Sequence, residues 1–342
     1  MRRAIIVATM LLGCLALAAP LHAAEQWRVA LEEVEGSIQH RYAERFAERI
    51  EAQTDGEVEV EILPYGTIGE MGDIYEQLQS GAVQFAFGSG ALGGTVPESQ
   101  LFSVNFVLSD DEYVNTRALN DPAFLRSEPL QEAYRERGME LISVLPEGWQ
   151  VWSANKPIRS PADFDGVQMR TMDNRLLRET YRQYGADPTP MAYSEIYGGL
   201  EQGVIDGNIQ PFFAHQEMGF YEVQDYFIEA RQAQFIAGFM ASSSFFQSLS
   251  EAEREMVREV TAEMVDWAHE MQQEVNQQRL AAMQEESDIE LIQLEDEERD
   301  AFRERAESTR TTFVDEVGAR GEAALERLLE AVERARQEHG DG

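Results

Sequence analysis

Arg170 is the residue whose type and position best suit it to bind a charged solute. It lies near the end of an extended run at 167–171. Because side chains alternate along a strand, Val167 and Met169 point away from the side that Arg170 faces. Open α/β sheets bind ligands at the carboxyl ends of their strands, and a guanidinium can hold a carboxylate with two parallel hydrogen bonds. An arginine at a strand end is more often a solvated charge, so the local pattern leaves both interpretations open.

Residue patterns typical of enzymes are nearly absent. The only lysine, Lys156, is far from any glycine-rich loop, which excludes a phosphate-binding P-loop. The histidines are scattered, and none has metal-ligand spacing with another. They are His22, His40, His215, His269 and His339. We therefore expect no catalysis, no metal and no cofactor.

A glycine-rich turn at 88–93, with the sequence GSGALG, matches the dinucleotide-binding pattern G-x-G-x-x-G. In that pattern the turn opens directly into a helix whose N-terminus holds the pyrophosphate. Here the chain continues as a loop through Pro97. The sequence favours a flexible loop close to a ligand. The alternative is an exported NAD-dependent oxidoreductase that uses this turn, and a third interpretation is an adhesive or structural surface protein.

The elements that must position these residues alternate along the first part of the chain. Apolar spacing predicts strands at 27–31, 58–63 and 83–87, with helices at 37–54 and 69–80 between them. A β-α-β-α-β order indicates a mostly parallel sheet covered by helices.

The alternation resumes after an irregular middle. The sequence predicts helices at 121–137, 176–184 and 194–203, and a short helix capped by Ser160 with Pro161 at its first position. Extended segments are predicted at 140–145, 148–154, 167–171, 187–191, 204–208 and 235–241.

A long helix is predicted near the carboxyl end. Ser250 and Glu253 form a capping box, and neither glycine nor proline follows before about residue 284. More than 30 helical residues would extend about 45 Å, enough to span two lobes. Beyond it, 289–342 is predicted to be helical.

The N-terminus has the form of a secretory signal peptide over 1–23. Arg2 and Arg3 precede an apolar run at 4–19, and small residues follow. The run is short for a membrane-spanning helix. We expect cleavage after Ala23, with cleavage near Cys14 as the alternative, and export to the periplasm.

The formal net charge is −35 at pH 7, and Lys156 is the one lysine among 28 basic residues. The acidic residues are dispersed, so they mark no patch for a basic partner. The composition predicts a solvated surface adapted to high salt and hence a halophilic source. Nucleic acid is excluded as a partner because binding phosphates requires a basic surface.

Several segments together resemble the solute-binding proteins of TRAP transporters, the DctP family. The segment 160–171 is similar to the family's segment before and through the ligand arginine, and 185–191, 195–197 and 200–207 are similar to family motifs that follow it. Upstream, the region 66–81 also fits. The resemblance covers nearly the whole mature chain. It implies two α/β lobes that close over a solute, a long helix that bridges them, and delivery to a permease with one small and one large membrane subunit.

By this resemblance Arg170 is the carboxylate clamp. The family commonly places asparagine before a proline where this chain has Gln210, whose amide can still donate a hydrogen bond. Many members carry a second arginine near Trp149 and Gln150, and this chain has none there. The departure argues against a dicarboxylate ligand.

The run at 27–36, which contains Glu33, is most similar to ectoine-binding members, where an acid contacts the ligand. Tyr193 falls where that subgroup uses an aromatic residue. Leu92 and Ala214 replace an expected aromatic and an expected tryptophan, and Phe213 is a nearby substitute. We therefore expect a pocket related to an ectoine pocket but not the same, in which Tyr193 and Phe213 stack on the ligand.

The resemblance and the local patterns together predict a two-lobed α/β periplasmic solute-binding protein. The solute is a small carboxylate: a sugar acid, a hydroxy or keto acid, or a zwitterion such as ectoine. Lobe I is predicted over 24–148 and 237–265, lobe II over 149–236, the bridging helix over 250–288, and C-terminal helices over 289–342.

Overall fold

In the computed structural model, which describes residues 24–340, the strands form two separate sheets. The predicted signal peptide at 1–23 lies outside the described residues. The strands are β1 (Glu25–Ala30), β2 (Val58–Leu63), β3 (Phe85–Gly88), β4 (Met139–Trp149), β5 (Val151–Ala154), β6 (Gln168–Thr171), β7 (Asp187–Pro190), β8 (Gly207–Gln210), β9 (Tyr226–Glu229), β10 (Gln234–Ser242) and β11 (Glu290–Gln293).

Helices cover both sheets. They are α1 (Ile38–Gln53), α2 (Met71–Ser80), α3 (Glu112–Leu119), α4 (Pro122–Leu125), α5 (Glu128–Arg135), α6 (Arg175–Tyr184), α7 (Ile196–Glu201), α8 (Phe212–Glu217), α9 (Ser243–Ser248), α10 (Glu251–Glu263), α11 (Val265–Glu286), α12 (Asp296–Val317) and α13 (Ala319–His339). Short 3₁₀ segments lie at Gly90–Gly94, Pro97–Ser103, Pro161–Phe164, Tyr193–Glu195 and Phe220–Val223. Within residues 24–340, no helix combines the length and apolar character needed to cross a membrane.

The first sheet has the order β2-β1-β3-β10-β4. Strand β1 pairs in parallel with β2 and β3, as the β-α-β-α-β pattern predicts. Strand β10 returns from later in the chain and pairs antiparallel with both β3 and β4. Helix α1 packs Phe46 and Ile50 onto this sheet because apolar side chains recur along one of its faces.

The second sheet has the order β11-β9-β5-β8-β6-β7. Strand β6, which carries Arg170, pairs in parallel with β7 and β8. Strand β11 lies within 289–342, where the sequence predicts helices, so that prediction is wrong for this segment. Its residues pair in parallel with β9, and Ile292 is buried, so a sheet partner distant in sequence decides its conformation.

Two segments of the chain run side by side from one sheet to the other. Strand β4 passes into β5 at Gln150, and β9 leads into β10 through residues 230–233. The Gln150 backbone N–H donates to the Ala233 carbonyl at 2.9 Å, and the Gln232 side-chain amide donates to the Gln150 carbonyl at 3.1 Å. These bonds couple the two crossing segments.

The predicted long helix is divided at Met264 into α10 and α11. The Met264 N–H donates to the Thr261 carbonyl, three residues back, at 3.2 Å. The Thr261 hydroxyl donates to the Arg258 carbonyl at 3.0 Å and competes with the helical hydrogen-bond ladder. The helix breaks there without glycine or proline. The predicted helix at 121–137 is also divided: a second helix begins at Glu128, with Ser127 at its N-cap position and Pro129 in its first turn, where a proline needs no N–H partner.

Helix α11 contacts elements that cover both sheets, among them α3 and β4 on one side and α8 on the other. Asn276 makes the connection specific. Its Nδ2 donates to the Glu147 carbonyl at 2.8 Å, and its Oδ1 accepts from the Phe213 N–H at 3.1 Å. One side chain thereby joins the end of β4 to the start of α8.

Helix α12 covers the second sheet through a cluster of aromatic rings. The fully buried Phe302 ring lies 4.9 Å from Trp152, 5.3 Å from Tyr184 and 5.9 Å from Phe164, measured between ring centroids. These are edge-to-face distances that favour aromatic packing. The cluster fixes a helix from the end of the chain to a sheet from its middle.

We predict that Phe302→Ala lowers the free energy of unfolding by roughly 3–5 kcal/mol, because it removes a buried ring and leaves a cavity. Glu304→Ala, at an exposed position on the same helix, should change it by less than about 0.5 kcal/mol. Denaturant unfolding of both variants checks this. Equal, small losses would show that the ring cluster does not hold α12 on the sheet.

Candidate functional site

Arg170 is buried in the second sheet, near the carboxyl end of β6, with only 2% of its surface exposed. Its Nε and Nη2 donate to the Met191 carbonyl at 3.1 and 2.9 Å. Its Nη1 has no hydrogen-bond partner among the described residues. Burial lowers the pKa of the guanidinium to about 10, so it keeps its charge at neutral pH. A buried cation with an unpaired donor is suited to bind an anion.

Arg170 lines a narrow cavity between the two sheets. The volume open to the centre of a water molecule is ≈ 10 Å³, about enough for one water. Residues that follow strands of the first sheet form one wall, and residues of the second sheet form the other. The lining residues are Glu32, Glu33, Met71, Arg170, Met172, Tyr193, Gln210, Ala214 and Phe235.

Four predicted ligand residues meet in this cavity: Arg170, Gln210, Glu33 and Tyr193. Gln210 is the last residue of β8, one residue before Pro211, and is buried. Tyr193 lies in a 3₁₀ segment, and its ring contacts that of Tyr65 edge to face at 5.8 Å. An arginine, an amide, an acid and an aromatic ring thus surround one small volume.

Two glutamates directly after β1 form the acidic wall. The Tyr75 hydroxyl and the Ser89 N–H donate to the Glu32 carboxyl, the latter at 2.9 Å. Burial raises the pKa of Glu32 to about 7 despite these bonds. The Gln39 N–H donates to Glu33 at 3.1 Å, and burial raises the pKa of Glu33 as well. Both acids are more than nine-tenths buried.

Two further buried acids lie near this wall, and sequence reasoning missed both. Glu147 on β4 is fully buried, and burial followed by the charge of Glu33 raises its pKa well above the usual range. Glu217 on α8 has a pKa raised to about 8, by burial and then by Glu33, against the lowering effect of Arg279. Glu147 could have been found as the one acid in the run LISVLPEGW after Glu140.

Two of the other predicted ligand residues belong to the core. Leu92 is fully buried among apolar side chains of the first lobe, where it packs closely against Gly88. Phe213 is buried at the start of α8, with its N–H bonded to Asn276. Its neighbour Ala214 faces the cavity instead. Neither Leu92 nor Phe213 lines the cavity in this arrangement.

Trp149 and Gln150 also lie outside the cavity. Trp149 lines a separate cavity that also includes Phe106 and Arg231. Gln150 is the residue at which β4 crosses into β5, and its backbone bonds to Ala233 and Gln232 hold the two crossing segments together. These positions sit where the chain changes sheets, which the sequence pattern does not reveal.

The glycine-rich turn is a 3₁₀ segment that packs against the opposite lobe. A Cβ on Gly90 would lie 2.7 Å from the Met172 side chain, and the Asn174 amide donates to the Gly90 carbonyl at 2.9 Å. A Cβ on Gly93 would lie 3.1 Å from the Asn174 amide of the opposite lobe. The glycines therefore permit close packing between the lobes. No helix follows that could hold a pyrophosphate, and the oxidoreductase interpretation finds no support.

Curated relatives extend over most of the chain. The ectoine/5-hydroxyectoine-binding periplasmic protein UehA of Ruegeria pomeroyi is 35% identical over 89% of this chain and 90% of its own length. The ectoine-binding periplasmic protein TeaA of Halomonas elongata is 34% identical over 89% of each chain.

Solved structures confirm the predicted two-lobed α/β fold. A TRAP periplasmic solute-binding protein from Marinobacter aquaeolei, in an apo open structure, superimposes with a TM-score of 0.84. It is 39% identical, and the match covers 89% of this chain and 99% of that one.

The profile of the family described as bacterial extracellular solute-binding protein, family 7 (DctP), matches residues 30–316. The match contains the whole cavity wall and the arginine that lines it. It agrees with the relatives and with the resemblance noted in the sequence. This chain belongs to the DctP family of TRAP solute-binding proteins.

Proposed function

We propose that this protein captures a small carboxylate-bearing solute in the periplasm, without turnover, and delivers it to a TRAP permease of one small and one large membrane subunit. The observation that carries the proposal is the buried Arg170 guanidinium, whose Nη1 faces no hydrogen-bond partner among the described residues. Leaving such a donor unpaired costs free energy that a bound carboxylate recovers. Export through a cleavable signal peptide is part of the same proposal.

Within this class, a zwitterion such as ectoine fits the charges of the cavity best. Arg170 supplies one positive charge, and Glu33 supplies a negative one on the opposite wall. A solute with a carboxylate and a delocalised cation would satisfy both, and Tyr193 could stack on the cation. The ectoine-binding relatives UehA and TeaA support this assignment. Ala214, which lines the cavity where a tryptophan was expected, leaves more room beside the ligand.

A hydroxylated sugar acid is the second candidate. Glu32 lines the cavity, and its pKa of about 7 leaves part of it protonated near neutral pH. A protonated carboxyl donates hydrogen bonds to hydroxyl groups. Such a ligand would use Arg170 in the same way. It would not need a charge on Glu33.

Capture requires the lobes to move. Arg170 and Gln210 come from the second sheet, whereas Glu32 and Glu33 follow a strand of the first, so the site is complete only when the lobes are together. Closure excludes water and strengthens the electrostatic contact between Arg170 and the solute. The crossing strands at Gln150 are where such a motion would bend.

We predict that Arg170→Ala weakens binding of the ligand by roughly 2–5 kcal/mol, as truncation of one partner of a buried charge pair does. Calorimetric titration with ectoine, or with a sugar acid that the native protein binds, measures the loss of affinity. Arg182→Ala, at an exposed arginine of the same lobe, is the matched control and should bind normally. Unchanged affinity in Arg170→Ala would remove the clamp assignment.

A thermal-shift panel separates the ligand classes. Ectoine, 5-hydroxyectoine, galactonate, succinate, a keto acid, an amino acid and NAD are compared at the same concentration. A ligand at 100 times its dissociation constant stabilises the protein by about 2.7 kcal/mol. We expect the largest shift with a zwitterion, a smaller one with a dicarboxylate and none with NAD. Stabilisation by NAD alone would contradict the proposed function.

Substitution of Tyr193 tests whether the solute is cationic. Tyr193→Phe keeps the ring and should retain affinity for ectoine, whereas Tyr193→Leu should lose about 0.5–2 kcal/mol because the cation–π contact is gone. Titration calorimetry distinguishes them. Equal affinities of the two variants for ectoine would exclude stacking by this ring.

A further inference from the structure

One buried glutamine holds Glu33, which lines the cavity, and the buried acid Glu147 together. The Gln39 backbone N–H donates to Glu33 Oε2 at 3.1 Å, and its side-chain Nε2 donates to Glu147 Oε1 at 3.2 Å. Its Oε1 accepts from the Glu32 N–H at 2.9 Å, which fixes the orientation of the amide. Gln39 is fully buried. The two carboxyl groups are therefore held by donors from one residue, although 108 positions separate Gln39 from Glu147.

The second oxygen of each carboxyl is buried and has no partner from any other described residue. These atoms are Glu33 Oε1 and Glu147 Oε2. Two carboxylates are acceptors only and cannot bond to each other, whereas a carboxylic acid donates to a carboxylate. If one of the two carboxyls carries a proton, its oxygen can donate a hydrogen bond to the unpaired oxygen of the other. Buried carboxyl pairs share a proton for this reason.

Of the two carboxyl groups, that of Glu147 carries the shared proton. Burial and then the charge of Glu33 raise the pKa of Glu147 well above its usual range, whereas the pKa of Glu33 is raised by burial against the lowering effects of Glu147 and of the Gln39 N–H. Glu147 is therefore the donor of the pair and Glu33 the acceptor. Glu147 is also the more deeply buried of the two, and it does not line the cavity. Glu33 then faces the cavity with the pair's single negative charge.

We propose that Glu147 is a positioning residue that makes the pocket select a solute with a cationic group: it holds a proton against Glu33, and the cation displaces this proton when it binds. This inference rests on the proposed function for the anchoring of the solute's carboxylate at Arg170. With the proton in place, the Arg170 charge and the charge of the pair cancel. A simple anion leaves the proton in place, whereas the cationic group of a zwitterion replaces it as the partner of the two carboxylates.

Charged and titratable groups from the neighbouring elements act on this pair or on groups next to it. They are Glu32 after β1, Arg41 on α1, Arg170 on β6, Tyr193 in its 3₁₀ segment, Glu217 on α8 and Arg279 on α11. Glu32 raises the pKa of Glu147 through its charge and so helps keep the proton there once Glu32 is ionised. Arg41 and Arg279 act through Glu217, whose pKa they lower. A cation placed beside Glu33 opposes the acids and favours release of the proton.

The linkage fixes the sign of the pH dependence. A cationic solute binds the deprotonated pair more tightly, so its affinity rises as pH rises through the pKa of Glu147. The slope reaches at most about tenfold per pH unit for one linked proton. A solute with only a carboxylate shows the opposite sign, because it gains from a protonated pair.

The test is calorimetric titration of the full mature protein with ectoine, in two buffers of different ionisation enthalpy across neutral to alkaline pH. The native protein should release more protons on binding than Glu147→Gln, whose amide imitates the protonated acid and keeps the bonds to Gln39 and Glu33. Glu112→Gln, at another acid with a pKa raised by burial but outside the cavity, is the matched control and should behave like the native protein. Equal proton release in the native protein and Glu147→Gln would overturn the proposal.

A purely structural role for Glu147 predicts something different. Its substitution would then lower affinity by the same factor at every pH and leave the proton count unchanged. If ectoine binds none of these proteins, displacement by a cation is overturned, even where a sugar acid still binds through Arg170. Loss of Arg170-dependent binding for every solute would instead overturn the proposed function.

The proton on Glu147 can also be observed without any ligand. Infrared difference spectra at neutral pH should contain the C=O stretch of a buried protonated carboxyl that disappears in Glu147→Gln and persists in Glu112→Gln. Identical spectra for the native protein and Glu147→Gln would overturn the shared proton directly.

Discussion

The burial of a single arginine between two lobes is the constraint on which the rest of this structure depends. Removing a guanidinium from water is costly unless hydrogen bonds compensate. The Met191 carbonyl satisfies two donors of Arg170, and the pKa of about 10 keeps the charge in place. The third nitrogen, Nη1, has no hydrogen-bond partner among the described residues, and Arg170 lines a cavity that also includes the buried acids Glu32 and Glu33. In a chain with a net charge of −35, we propose that this local cation makes binding of an anion feasible.

The fold supports this contact because strand ends of the two sheets lie on opposite sides of the same cavity. Parallel pairing of β6 with β7 and β8 places Arg170 and Gln210 at adjacent strand ends, and the turn after β1 supplies Glu33 from the other sheet. Asn276 on α11 joins Glu147 to Phe213 and so connects the acidic wall to the helix after β8. The cavity and the bridging helix are thus coupled by hydrogen bonds.

Sequence reasoning reached the α/β class, most element positions and the family, because apolar periodicity and local motifs are properties of short segments. It placed Arg170 at a strand end correctly, and resemblance brought Glu33 to the same site. It did not find Glu147, since the bond from Gln39 spans 108 positions and leaves no local signature. It also did not anticipate the break at Met264, where a threonine side chain competes with the helix, or strand β11, which depends on β9. Each omission involves a partner that only the folded chain supplies.

A crystal structure of the protein grown with ectoine tests most directly whether Arg170 holds the solute's carboxylate. We predict the carboxylate against Arg170, with one oxygen within about 2.7–2.9 Å of Nη1 as in charge-assisted hydrogen bonds, and the cationic ring nitrogens facing Glu33. A ligand in the opposite orientation, or a carboxylate held by residues other than Arg170, would contradict this prediction.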